Sequence, residues 1–126
     1  MPHIKTSPPN AIVFILDPTS SDIVVPEYED GAIVQATSTC VSVATQPDVD
    51  GPTGIWLETG ISERALLTEV FNGQIKAPGG HVVVVTSAFE RLLETKVHPG
   101  TVEIRVWTDD RRSPSRVVIS AASVRA

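Results

Sequence analysis

With 126 residues, 41% of them hydrophobic and only 20% charged, the chain is long enough for one packed core and too apolar for a disordered polymer. Fifteen acids against ten bases leave a formal charge of −5, which disfavours nucleic acid as a partner and favours a basic protein surface. One cysteine, Cys40, excludes an internal disulfide and a multi-cysteine metal site.

Residues 1–10 hold three prolines and few large apolar groups, so they read as an N-terminal arm ahead of a single domain over 11–126. No signal-peptide core is visible there. The longest nearby apolar run, 11–16, is six residues and too short to span a membrane. Cytoplasmic residence without membrane association is the expectation.

The run 11–16, Ala-Ile-Val-Phe-Ile-Leu, stops at Asp17 and Pro18; its β-branching predicts a strand buried on both faces and central in its sheet. Ile23, Val24 and Val25 form a second short candidate, stopped by Pro26. An acidic stretch of Glu27, Tyr28, Glu29 and Asp30 follows, closed by a turn at Gly31. Residues 32–46 read as one long strand, or two joined by a bulge, with Val41 and Val43 on one face and Cys40 and Ser42 on the other. The turn-rich segment 47–52 then predicts a hairpin into a strand where Ile55 and Leu57 alternate with Trp56 and Glu58.

Residues 61–73 are ambiguous. A helix capped by Ser62 competes with a strand over 65–71 that would turn at Asn72 and Gly73; the strand is favoured. After a break at Pro78, Gly79 and Gly80, the run of valines 82–85 demands a strand. Residues 88–95 suit a helical turn or an extended linker. Beyond the turn at Pro99 and Gly100, Val102, Ile104 and Val106 alternate with polar residues, and 116–121 returns as the partner strand across a charged loop. The expected fold is all-β: an antiparallel two-sheet sandwich of about eight strands, with at most one short helix.

Chemistry is sparsely signalled. His3, His81 and His98 are available for a triad, but none sits in a nucleophile motif, so each reads as structural and no enzyme is expected. Cys40, in a strand among small and apolar neighbours, reads as a buried, inert thiol. Asp48 and Asp50 could join Asp109 or Asp110 at one end of a sandwich in a C2-like calcium site, whereas ordinary turn chemistry explains the same residues. Recognition has better candidates. If Val102, Ile104 and Val106 point inward, Trp107 faces outward, and the same logic turns Trp56 away from Ile55 and Leu57. Such tryptophans either anchor a partner or cover a sheet edge. Glu27, Glu29 and Asp30 surround the only tyrosine, Tyr28, and either meet a basic surface or form a solvated loop.

One resemblance adds to this. Three stretches carry it: Gly31-Ala32-Ile33; Cys40-Val41-Ser42-Val43-Ala44-Thr45 with its Asp-rich turn; and Val97-His98-Pro99-Gly100-Thr101 running on to Trp107 and then Arg116-Val117-Val118-Ile119. In order and spacing the layout from Gly31 onward resembles the competence-protein-J type of small bacterial β-sandwich, whose best-known member inhibits a competence nuclease. The family's aromatic-rich segment near the glycine is replaced here by Ala32-Ile33-Val34-Gln35. The resemblance implies a sandwich and inhibitor-like or immunity-like binding; it transfers no site residues. The expected function is therefore a non-catalytic, cofactor-free binding protein for a nuclease or other basic partner, docking through Glu27, Tyr28, Glu29, Asp30, Trp56 and Trp107. The alternative is a calcium- or small-ligand-binding sandwich using Asp48, Asp50, Asp109 and Asp110.

Overall fold

The computed structural model describes residues 3–29, 31–59 and 67–124. Among them ten strands run in chain order: β1 (His3–Thr6), β2 (Ile12–Leu16), β3 (Val34–Ala36), β4 (Cys40–Ala44), β5 (Thr53–Thr59), β6 (Thr68–Ala77), β7 (His81–Thr86), β8 (Arg91–Lys96), β9 (Gly100–Thr108) and β10 (Arg116–Ser123). Short 3-10 turns occupy Pro9–Ala11 and Asp48–Asp50. No helix among the described residues is long and apolar enough to cross a membrane.

The strands form two five-stranded sheets, ordered β1-β5-β10-β9-β6 and β3-β4-β2-β7-β8. Period-two alternation creates the layer between them. From the first sheet Ile55, Leu57, Val102, Ile104, Val106, Val117 and Ile119 point inward, each fully buried. Val13, Ile15, Val41, Val43, Val82 and Val84 of the second sheet meet them. The expected two-sheet, all-β sandwich is what forms. The run 11–16 supplies β2, which is indeed central, and the valine run supplies β7.

Several connections differ from expectation. The sheets are not wholly antiparallel, because β5 and β10 pair in parallel. His3–Thr6 is no free arm: it pairs antiparallel with β5, from His3 opposite Trp56 to Thr6 opposite Thr53. Residues 32–46 hold two strands, β3 and β4, paired with each other rather than joined by a bulge, with Val34 opposite Val43. The segment 47–52 makes no hairpin; it carries the chain from β4 in the second sheet to β5 in the first. The β6–β7 turn at Pro78 and the β8–β9 turn at Pro99 cross between sheets in the same way.

Asn72 and Gly73 lie inside β6, opposite Arg105 and Ile104, where continuous pairing with β9 overrides their turn propensity. The Phe71 ring sits where a Cβ on Gly73 would have to go, at 2.5 Å, so glycine there admits an aromatic rather than a bend. Residues 91–96 are neither helical nor a linker but edge strand β8, whose Leu93 enters the core opposite Val84. The helix considered at 62–67 and the start of the strand expected over 65–71 fall, but for residue 67, outside the described residues.

Candidate functional site

Outward-facing residues of the first sheet line up across all five strands. His3, Trp56, Val118, Trp107 and Glu69 are successive cross-strand partners. The two tryptophans that sequence spacing turned outward are thus brought to one face, on either side of Val118. They are not equivalent. Trp56 is half-buried, stacks on His3 at 5.9 Å and lays its ring over Gly54, where a Cβ would come within 2.7 Å of it.

Trp107 faces outward as expected yet keeps only 6% of its surface exposed, so it is not an open anchor. The Arg105 guanidinium lies 5.0 Å from its ring centre, in cation–π geometry. Both arms of that guanidinium bind Glu69, Nε to Oε1 and a terminal nitrogen to Oε2, each at 2.9 Å. This bond holds the Glu69 carboxyl below its ordinary range and raises Arg105. Trp107 and the Arg105–Glu69 pair thus cover one another, while Trp56 stays half-buried.

The outer face of the second sheet is built differently. Phe14, Leu16, Cys40, Val83 and Val85 form a second apolar cluster there, away from the main core. The segment 17–29 crosses it, and Ile23 packs down onto the cluster. Ile23, Val24 and Val25 are not the strand their β-branching suggested, because side chains replace the ladder. The Val24 amide donates to Thr39 Oγ1 at 2.8 Å, and Thr37 Oγ1 donates to the Val24 carbonyl at 2.6 Å.

Next along, Gln35 acts as a surrogate peptide on the free edge of β3. Its Nε2 donates to the Glu27 carbonyl at 2.6 Å, and its Oε1 accepts the Glu29 amide at 3.1 Å. The acidic stretch is therefore pinned rather than loose: Glu27 and Glu29 are exposed and Tyr28 is 78% exposed between them. Asp30 lies outside the described residues. Between this segment and the sheet runs a groove of about 920 Å³, lined by Ile12, Phe14, Val25, Tyr28, Ile33 and Ser42 among others.

Sequence reasoning passed over Phe89. It sits in the tight β7–β8 hairpin, 56% exposed, with its ring stacked at 6.4 Å on Phe14 in the groove wall. Its φ is +60°, the left-handed conformation that a three-residue hairpin loop normally gives to glycine. Thr86 organises the loop, its Oγ1 accepting the amides of Ala88 and Glu90. The available signal was a short loop after the valine run with no glycine in it.

The aspartates proposed as calcium ligands are not gathered: among the described residues no three His, Cys, Asp or Glu side chains are placed to hold a metal. Asp48 and Asp50 flank an exposed 3-10 turn. Asp109 accepts the amides of Ser115 and Arg116 and the Ser115 hydroxyl. Burial would raise its pKa, but these bonds outweigh it and lower it. Asp110 accepts the amides of Ser113 and Arg112, which lower its pKa too. The carboxylates are staples of the β9–β10 loop.

Cys40 is fully buried and its thiol is pushed up to about 12 by that burial. His81 opens β7, half-buried, and the exposed His98 is tied through its backbone to the Ser123 hydroxyl.

No protein-family description and no curated relative matches the chain. Among solved structures, its fold is that of ComJ, described as the inhibitor of the DNA-degrading activity of NucA, from Bacillus subtilis. The likeness has a TM-score of 0.72 and spans 98% of this chain and 96% of that one, at 16% identity.

Proposed function

From this shared fold we propose that the chain is a non-catalytic, inhibitor-like protein of the bacterial cytoplasm that acts by docking on a basic protein, a DNA-degrading nuclease in the first instance. The observation that carries the reading is the match in fold to a nuclease inhibitor over 98% of this chain and 96% of that one. The charge of −5 supports it, because an inhibitor of an enzyme that grips DNA phosphates gains from presenting carboxylates to the same cationic surface. Glu27, Tyr28, Glu29 and Asp30 are the proposed acidic docking segment; Trp56 is a weaker second contact, and Trp107 supports the face behind it.

The test is plasmid degradation by purified NucA titrated with this chain over a salt series. Inhibition that saturates near one equivalent and weakens with salt is expected. Undiminished degradation at large molar excess and low salt overturns the nuclease reading.

A further inference from the structure

We propose that the groove on the outer face of the second sheet is a ligand site for a small apolar molecule bearing one carboxylate. The carboxylate meets Arg112, and the apolar body lies against Phe14, Val25 and Ile33 over the Ser42 hydroxyl. The site goes beyond the docking reading above and does not depend on it.

Charge inside the groove selects the ligand. Arg112 is the one charged side chain that lines it among the described residues. The loop is built to hold this residue in place. The Arg112 and Ser113 amides donate to Asp110 Oδ1 at 2.7 and 2.9 Å. The Gln46 amide donates to the Pro114 carbonyl at 2.9 Å, which ties the loop to the end of β4. The backbone is thus committed, while the guanidinium makes no hydrogen bond and no ion pair among the described residues. Asp110, the acid on which its charge acts, already spends Oδ1 on the two amides. Glu27 and Glu29 lie outside the lining. A planar guanidinium beside apolar walls is suited to bind a carboxylate through two parallel bonds.

Ser42 supplies a second, independent observation. It lines the groove from β4, between Gln35 of β3 and Phe14 of β2, and is only 4% exposed. Among the described residues its hydroxyl makes one bond, a donation to the Gln35 carbonyl at 3.5 Å, where about 2.7–2.8 Å is usual. The Gln35 side chain offers no help, because both its ends hold the 27–29 segment. A buried hydroxyl with its acceptor lone pairs unfilled calls for a partner, and the groove is where one can enter.

Backbone strain marks the same place. Asn10 and Ala11 line the groove with φ of +59° and +54°, two of the three positive values at non-glycine residues among those described. Their surroundings hold them so: Asn10 Nδ2 donates to Ser87 Oγ at 3.0 Å, and the Ala11 carbonyl accepts the Thr45 amide at 2.9 Å. Alanine resists the left-handed region, and residues kept there gather at ligand sites. The volume of about 920 Å³ falls within the range of pockets for small organic ligands, about 300–1,000 Å³.

Naphthalene-2-acetate is the probe, titrated into the full isotope-labelled chain and followed by amide shifts. Saturable shifts at Phe14, Ile33, Ser42 and Arg112 are expected, with a Kd of about 1 mM or tighter for a molecule of this size. The neutral naphthalene-2-acetamide should bind about tenfold more weakly. Arg112→Gln should lose about the same factor for the acid and nothing for the amide, and Ser42→Ala about threefold for both. Arg112 is exposed and its backbone bonds survive the change, so the fold is kept, as an unchanged spectrum away from the loop verifies. Any of four results overturns the proposal. One is the absence of saturation up to about 10 mM probe. Another is a set of shifts centred on Trp56 and Val118. Equal binding of the acid, the amide and the cationic 2-naphthylmethylamine would mark apolar adhesion only. Last, an affinity for the acid untouched by Arg112→Gln or by Ser42→Ala removes the site. The NucA assay is independent: lost inhibition leaves this site standing, and a failed titration leaves the inhibitor reading standing.

Discussion

Asp17 offers the sharpest test of how the groove-covering segment is held. It ends β2, is fully buried, and binds two pieces of chain far apart in sequence. Oδ1 accepts the Thr19 amide at 2.8 Å and the Thr19 hydroxyl at 2.7 Å, while Oδ2 accepts the Gly79 amide at 2.8 Å. Hydrogen bonds to a charged group contribute about 1.5–3 kcal/mol each, so three would suggest about 4.5–9 kcal/mol. Thr19 and Gly79 are themselves exposed, however, and their freed donors recover bonds to water. A loss of about 2–4 kcal/mol is therefore expected for Asp17→Ala. Asp17→Asn keeps one oxygen for Thr19 but turns an amide donor toward the Gly79 N–H, for about 1–3 kcal/mol.

The pH dependence has a definite sign. Burial alone would raise the Asp17 carboxyl, yet the bonds from Thr19, Gly79 and His81 outweigh it and hold the carboxyl below its usual 3.8. The stabilisation is thus complete above the unfolded-state value and is lost as pH falls through the lower folded-state value. Urea melts of wild type and Asp17→Asn at about pH 7, 5 and 3 measure this. The gap in stability should hold between the first two and shrink at the third. A gap below about 0.5 kcal/mol at neutral pH, or one that widens in acid, would refute the reasoning.

Two further outcomes follow from packing and burial. Gly54→Ala should push the Trp56 indole off the strand, break its stack on His3 and cost about 1–3 kcal/mol, read as a red shift of tryptophan fluorescence with a lowered urea midpoint; unchanged emission would contradict the contact. Cys40, with its thiol near 12, should resist a thiol reagent at neutral pH and react only as the protein unfolds. Labelling faster than global unfolding would show that the face above it opens locally.

The parts of the fold legible in sequence are those where one residue's neighbours along the chain decide its environment. Val102, Ile104 and Val106 alternate with polar residues, and a pleated strand must then send them to one side. The apolar run of β2 has no polar face, so it had to be central. The acidic stretch was visible as composition. Its being pinned by Gln35 was not, because a glutamine's partners are set by the fold.

Wherever two readings were locally acceptable, distant partners decided. Arg91-Leu92-Leu93-Glu94 has ordinary helix formers, and it is a strand because β7 offers an unpaired edge and the core a place for Leu93. The parallel alignment of β5 with β10 joins residues some sixty positions apart, for which no local pattern exists. Sequence alone determined that the chain is an acidic β-sandwich with two outward tryptophans. Only the tertiary structure decided that Trp107 is covered, that Phe89 is displayed, and that the exposed apolar surface gathers on the opposite sheet. Exposure is set by what packs over a side chain as well as by the face it points from.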